Sequence, residues 1–128
     1  MKAKSGRNKS VSAVLIAAAL VCFSYPALSH HSHAMFDPTV EKTITGTVTN
    51  FSFRNPHVFL YLDVKGQDGQ NVSWAVEMSN IQNTLRSGIH QSTFKVGDVV
   101  TVTMNPLRDG RPGGNFTTIT AADGKVYR

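Results

Sequence analysis

From Lys42 onward the chain alternates apolar and polar positions with a period of two. In Lys42 to Phe53 (KTITGTVTNFSF), Ile44, Gly46, Val48 and Asn50 share one face and Thr43, Thr45, Thr47 and Thr49 the other. β-branched residues in strict alternation predict a half-buried strand. Gly46 in its interior predicts a bulge or sharp bend. Asn55 and Pro56 interrupt the pattern, which resumes from His57 to Lys65. Gln67, Asp68, Gly69 and Gln70 supply a hairpin turn, and Asn71 to Met78 forms a third strand. The period then lengthens, with Ile81, Leu85 and Ile89 four apart as on one face of a short helix. Ser79 is placed to cap that helix and Gly88 to end it. Two more strands follow, Asp98 to Met104 and Asn115 to Ala121. The loop between them contains Pro106, Asp109, Gly110, Pro112, Gly113 and Gly114, and Asp123-Gly124 makes the last turn.

Three strands, one helix and two strands predict a mainly β fold: a small five-stranded, OB-like Greek-key barrel with one short helix between strands 3 and 4. An open five-stranded sheet with a helix on one face would give the same order, so closure must come from pairing that the sequence does not show.

The first 29 residues have a different character. Lys2, Lys4, Arg7 and Lys9 form a basic head, Val11 to Phe23 a mostly apolar stretch, and Ser24, Tyr25 and Pro26 follow. This is the pattern of a secretory signal peptide, with Ala27 and Ser29 small enough for cleavage before His30. The expected organisation is therefore a signal peptide (1–29), a histidine-rich segment (30–41) and one barrel domain (42–128), delivered to the periplasm. The apolar run falls short of the roughly 20 residues that span a bilayer, so no stable membrane span is expected after cleavage.

Cleavage changes the charge. The whole chain has 13 basic and 8 acidic residues, a formal net charge of +5. Four basic residues leave with the signal, so nine basic residues against eight acidic ones leave a net charge near +1. The basic excess belongs to targeting and predicts no nucleic-acid partner. Cys22, the single cysteine, lies within the apolar stretch, so the mature fold has no disulfide to draw on. Val21 before it is not the small residue that lipid attachment prefers.

Three of the five histidines, His30, His31 and His33, fall within four positions at the expected mature end. A free α-amine on His30 could chelate an ion together with its own ring, and His33 or a distant histidine would add a third nitrogen. Such a donor set suits copper, with zinc or nickel as alternatives. With Ser29 first, His31 would instead stand third, where an amino-terminal square-planar site needs its imidazole. The competing reading is a solvated chain end. Ala34-Met35-Phe36-Asp37-Pro38 follows and is able to pin the segment to the barrel; Met35 would add a soft ligand, though a lone Met is more often packing.

His57 stands at a strand entrance on the rigid Asn55-Pro56 support, as a metal ligand or general base requires. Glu77, at the end of the third strand, is suited to orienting a histidine's second nitrogen. The alternatives are a His57 ring bonded to a nearby carbonyl and a Glu77 at a solvated strand end. Asn55 is expected to bond its own turn, Trp74 to lie in the core and His90 on a surface loop. There is no Gly-x-Ser-x-Gly, no mature cysteine, no phosphate-binding loop and no close carboxylate pair. Gly113-Gly114 reads as a flexible hairpin. A binding protein is expected rather than an enzyme.

His30-His31-Ser32, Phe36-Asp37, Thr45-Gly46-Thr47-Val48, Asn55-Pro56-His57-Val58, Trp74-Ala75-Val76-Glu77-Met78 and Val96-Gly97-Asp98-Val99-Val100 occur in that order. Together they resemble the small exported bacterial family known as domain of unknown function 6152, over essentially the whole mature chain. The resemblance implies export and one domain, and carries no activity. It makes His30, His31, Asn55, Pro56, His57, Trp74 and Glu77 the motif positions; His33 departs from the pattern, where an aromatic residue is common. The expectation is a periplasmic metal module using His30, His31, His33 and His57 supported by Glu77. Its rival is a module that binds a protein, glycan or small hydrophobic ligand through Phe51, Phe53, Phe59, Tyr61 and Trp74 on the barrel face.

Overall fold

The computed structural model describes residues 34–128. Its elements are β1 (Lys42–Ser52), β2 (Phe59–Lys65), β3 (Asn71–Glu77), a six-residue helix α1 (Ile81–Arg86), β4 (Val99–Pro106), β5 (Gly113–Thr120) and a two-residue β6 (Val126–Tyr127). The sheet runs β3-β2-β1-β4-β5-β6, and a parallel pairing of β3 with β5 closes the first five strands into a barrel. This is the OB arrangement, with α1 between β3 and β4; the open sheet is excluded. Among the described residues no helix is long and apolar enough to cross a membrane.

Alternation in β1 places Ile44, Gly46 and Val48 inside and Thr43, Thr45 and Thr47 outside, as expected. Asn50 breaks the pattern and is exposed, because the register with β2 shifts between Val48 and Asn50. The extra residue, Thr49, reverses the parity and half-buries Phe51, whose ring meets Phe94 edge-on at 5.3 Å. Gly46 is therefore not the bulge. It is a close crossing: a Cβ there would come within 2.8 Å of both the Asp63 carbonyl oxygen and Val64 Cγ2.

The barrel interior is filled by Val58, Leu60 and Leu62 from the β2 region, Val76 and Met78 from β3 and its end, Val100, Val102 and Met104 from β4, and Ile119 from β5, each at most 1% exposed. These side chains interdigitate across a closed ring, so no sheet edge is needed to complete the core.

The seam between β3 and β5 corrects the reading of Gly113-Gly114 as a flexible hairpin. Both glycines are buried in β5, opposite Ala75 and Val76. A Cβ at Gly114 would lie 2.5 Å from the Asn105 carbonyl oxygen and 2.6 Å from Met104 Sδ; one at Gly113 would lie 2.9 Å from the Ala75 carbonyl oxygen. Gly113 thus lets β5 approach β3 closely enough to close the barrel, and Gly114 lets β5 lie tight against β4. The reversal itself occurs earlier, at Asp109-Gly110, where Gly110 takes φ +79°.

The helix is capped one residue later than expected. Asn80, not Ser79, is the cap, its Oδ1 accepting the Asn83 N–H at 2.9 Å. Ser79 Oγ instead accepts from Asn83 Nδ2 at 3.0 Å. Asn55, expected to bond its own turn, accepts the Ile81 N–H at 3.1 Å and so ties the β1–β2 loop to the helix. The predicted apolar face is only partly inward: Ile89 is buried but Leu85 is 40% exposed, and the helix buries Thr84, whose hydroxyl donates to the Asn80 carbonyl at 2.9 Å. Gly88, at φ +79°, ends the helix as predicted.

Candidate functional site

His57 and Glu77 are brought together by strand register. The cis Asn55-Pro56 peptide precedes His57, and β2 begins two residues after it. Phe59 is the cross-strand partner of Glu77, while Val58 N–H donates to the Ser79 carbonyl at 3.0 Å and Met78 N–H to the Val58 carbonyl at 2.8 Å. These bonds hold the end of β3 against the start of β2. His57 Nδ1 lies 2.6 Å from Glu77 Oε1, with the carboxylate side chain only 14% exposed and the imidazole 36%. In a neutral imidazole whose Nδ1–H donates to this carboxylate, Nε2 keeps its lone pair. A carboxylate bonded to one ring nitrogen fixes the orientation of the imidazole.

The pair lines a cleft of about 160 Å³, with Phe36, Ser79, Asn115 and Phe116 among its other walls. Asn115 reaches it because β5 pairs in parallel with β3, placing it beside Glu77. Phe36 reaches it through the segment before β1, which does pin to the barrel as Phe36-Asp37-Pro38 suggested. Phe36 bridges Leu107 and is 6% exposed. Asp37 N–H donates to the Pro106 carbonyl and Arg108 N–H to the Met35 carbonyl, both at 2.9 Å. Asn105 Nδ2 donates to the Val40 carbonyl at 2.9 Å. The Asp37 carboxyl is held below the usual carboxylate range, chiefly by the Thr39 hydroxyl at 2.7 Å and the Thr39 N–H at 3.1 Å, with partial desolvation opposing and Arg108 at 3.6 Å assisting.

Of the five expected metal-site residues, the structure joins His57 and Glu77. His30, His31 and His33 lie outside the described residues. Among the described residues there is no group of three or more His, Cys, Asp or Glu able to hold a metal ion. His90 is exposed in a loop, its N–H donating to Thr93 Oγ1. Sequence reasoning missed Asn115, Phe116 and Ser79 as walls of the cleft, because their placement follows from barrel closure rather than from any local pattern.

The five aromatic residues of the barrel-face reading are all half-buried and divide into two groups. Phe51, Phe53 and Trp74 pack against the core, with Lys42 Nζ 4.8 Å from the Trp74 ring centre. Phe59 and Tyr61 alternate with buried Leu60 and Leu62, so they lie on the outer face, stacked at 5.9 Å and 22°.

A closed OB-type barrel with a histidine–carboxylate pair in a small cleft defines the class of protein. The chain belongs to the family of unknown function DUF6152, which matches residues 17–116. No curated protein matches it. Two crystal structures of Rim1, a mitochondrial single-stranded DNA binding protein from S. cerevisiae, are similar to it. They share 13% and 12% identity at TM-scores of 0.49 and 0.48, each covering 64% of this chain and 92% of theirs.

Proposed function

We propose that the protein is an exported, periplasmic binding module that holds a copper-like ion through His57 and the amino-terminal histidines His30, His31 and His33. The observation that carries this reading is the 2.6 Å contact between His57 Nδ1 and Glu77 Oε1 in a cleft. It commits one imidazole nitrogen to a carboxylate and leaves the other for a ligand. His57 cannot hold an ion alone. Further nitrogens would come from the histidines and the α-amine upstream of Phe36, and His33 is only three residues from that wall of the cleft. Nitrogen donors favour Cu(II), with Zn(II) and Ni(II) as weaker competitors or alternatives.

The test is to isolate the protein from the periplasm without an amino-terminal tag, measure its intact mass and titrate it with Cu(II) beside His57→Ala. A mass beginning at His30 and tight one-to-one binding that His57→Ala weakens supports the module. Weak, non-stoichiometric uptake that is equal in both proteins overturns it.

The Phe59–Tyr61 stack favours a second reading. Two half-exposed rings on the outer face of a barrel offer a platform for a glycan, a protein or a small hydrophobic ligand. Loss of ligand capture by Phe59→Ala with Tyr61→Ala, while His57→Ala keeps it, would select this reading.

A further inference from the structure

Strand register sets two aromatic rings into a polar frame. On the outer face of β1, β2 and β3, Asn50, Tyr61 and Ala75 stand side by side in one row, and Ser52, Phe59 and Glu77 in the next. Tyr61 and Phe59, their rings 5.9 Å apart and 22° from parallel, take the centre of both rows. On the far side of Tyr61 the following row holds Asp63 and Ser73. These strand positions carry two carboxylates and no cation. Glu77 is held by His57, and Lys65, two residues past Asp63, is turned back to the Gly69 carbonyl at 3.3 Å.

From this we infer that the Phe59–Tyr61 face is a site for an uncharged glycan, with sugar rings packed on the aromatic pair and hydroxyls bonded to Asn50 and Ser52. The inference rests on the barrel-face reading above and names its ligand. A face that binds single-stranded nucleic acid combines stacking rings with a positively charged groove. Here Asp63 and Glu77 would repel a phosphate backbone. A purely apolar ligand that covered the rings would also strip water from Asn50 and Ser52 and leave them unpaired, which costs binding energy. A stable protein partner needs an apolar centre larger than two rings. A sugar meets both halves of the surface: its C–H faces pack on aromatic rings, and its hydroxyls donate to and accept from the amide and hydroxyl beside them.

The experiment passes the tag-free mature protein over immobilised neutral oligosaccharides built from glucose, galactose, mannose or N-acetylglucosamine. Oligothymidine and heparin serve as polyanionic probes and Nile red as an apolar one. The variants are Phe59→Leu with Tyr61→Leu, Asn50→Ala with Ser52→Ala, and His57→Ala as a control. Leucine keeps the two positions apolar while removing the rings, and circular dichroism checks the fold. The Asn50 and Ser52 variant alters only outward polar groups, which keeps the test valid should the leucine pair unfold. Wild type should retain at least one neutral oligosaccharide and neither polyanion, and the leucine variant should lose it. The Asn50 and Ser52 variant should bind it roughly ten-fold or more weakly, as expected for two lost hydrogen bonds, and His57→Ala should match wild type. Retention of no neutral oligosaccharide overturns the glycan assignment; Nile red binding that the leucine variant loses would then leave the barrel-face reading standing with another ligand. Oligosaccharide binding that is undiminished in the Asn50 and Ser52 variant overturns the role of the polar frame. Binding equal in wild type and the folded leucine variant overturns both the assignment and the barrel-face reading.

Discussion

Asn55 Oδ1 accepts the Ile81 N–H across 26 residues of sequence, joining the loop that carries His57 to the first turn of α1. The helix is only six residues long, too short to be stable by its own backbone bonds. Its start is held by two asparagines: Asn80 accepts from Asn83, and Asn55 accepts from Ile81. The same contact fixes the loop just before the cis Asn55-Pro56 peptide and therefore the approach to His57.

Replacing Asn55 by Ala should therefore cost about 1 kcal/mol of stability, the usual worth of a side-chain bond to an exposed helix-terminal N–H. Urea unfolding is the measurement. Hydrogen exchange should rise at Ile81, and the His57 ring resonances should shift although His57 is not altered. A shift in stability with unchanged His57 resonances would mean that the loop holds its shape without the helix.

Gly114→Ala tests the close approach of β4 and β5. The added methyl group would meet the Asn105 carbonyl oxygen at 2.5 Å and Met104 Sδ at 2.6 Å. Met104 is flexible but fully buried, and the carbonyl belongs to β4, so relief requires β4 and β5 to move apart. The expected loss is about 1–3 kcal/mol by overpacking, seen as a lower thermal midpoint. Gly110→Ala is the comparison: a Cβ there meets nothing within 4 Å, and only the positive φ penalises it. A Gly114→Ala protein as stable as wild type would show that β4 and β5 can yield there without loss of packing.

The fate of these glycines shows where sequence patterning stops. Thr43, Ile44, Thr45 and Val48 declare β1 because strand period is local, and the order of elements leads to an OB-like barrel. Gly113 and Gly114 sit in a loop-like run after Pro112, and only their pairing with Ala75 and Val76, far back in the chain, makes them strand. Ser79 and Asn80 are both good caps, and a one-residue choice between them depends on how β3 ends. At the cleft, the residue types at His57 and Glu77 suggest a paired histidine and carboxylate. Phe36, Asn115 and Phe116 join them only through the segment pinned before β1 and the parallel seam, which no local spacing encodes.

The segment before β1 also carries a pH signature. Asp37 titrates below the ordinary carboxylate range because the Thr39 hydroxyl and then the Thr39 N–H donate to its charged form, with Arg108 adding attraction. Its folded value is lower than its unfolded one, so the ionised carboxyl stabilises the fold above the unfolded value, and that contribution disappears as pH falls through the folded one. Thr39→Val removes the larger of these donors. The Asp37 carboxyl carbon, followed by NMR titration, should then move its midpoint upward, and Arg108→Ala should move it upward by less. Equal shifts in the two variants would make the ion pair, and not the hydroxyl, the dominant influence.

Glu77→Gln separates the two readings of the cleft. The amide is nearly isosteric and still able to accept from His57 Nδ1, so the strand ends and the core should be undisturbed. What it lacks is the negative charge that strengthens Nε2 as a donor and compensates a bound cation. On the metal reading Cu(II) affinity should fall about 10–100-fold, the range seen when a carboxylate behind a ligating histidine is replaced. If the barrel-face reading holds instead, ligand capture at Phe59 and Tyr61 should survive Glu77→Gln, since the stacked rings gain nothing from that charge. Copper titration and ligand capture on the same preparation therefore decide whether the histidine–carboxylate pair is a ligand support or a clasp between β2 and β3.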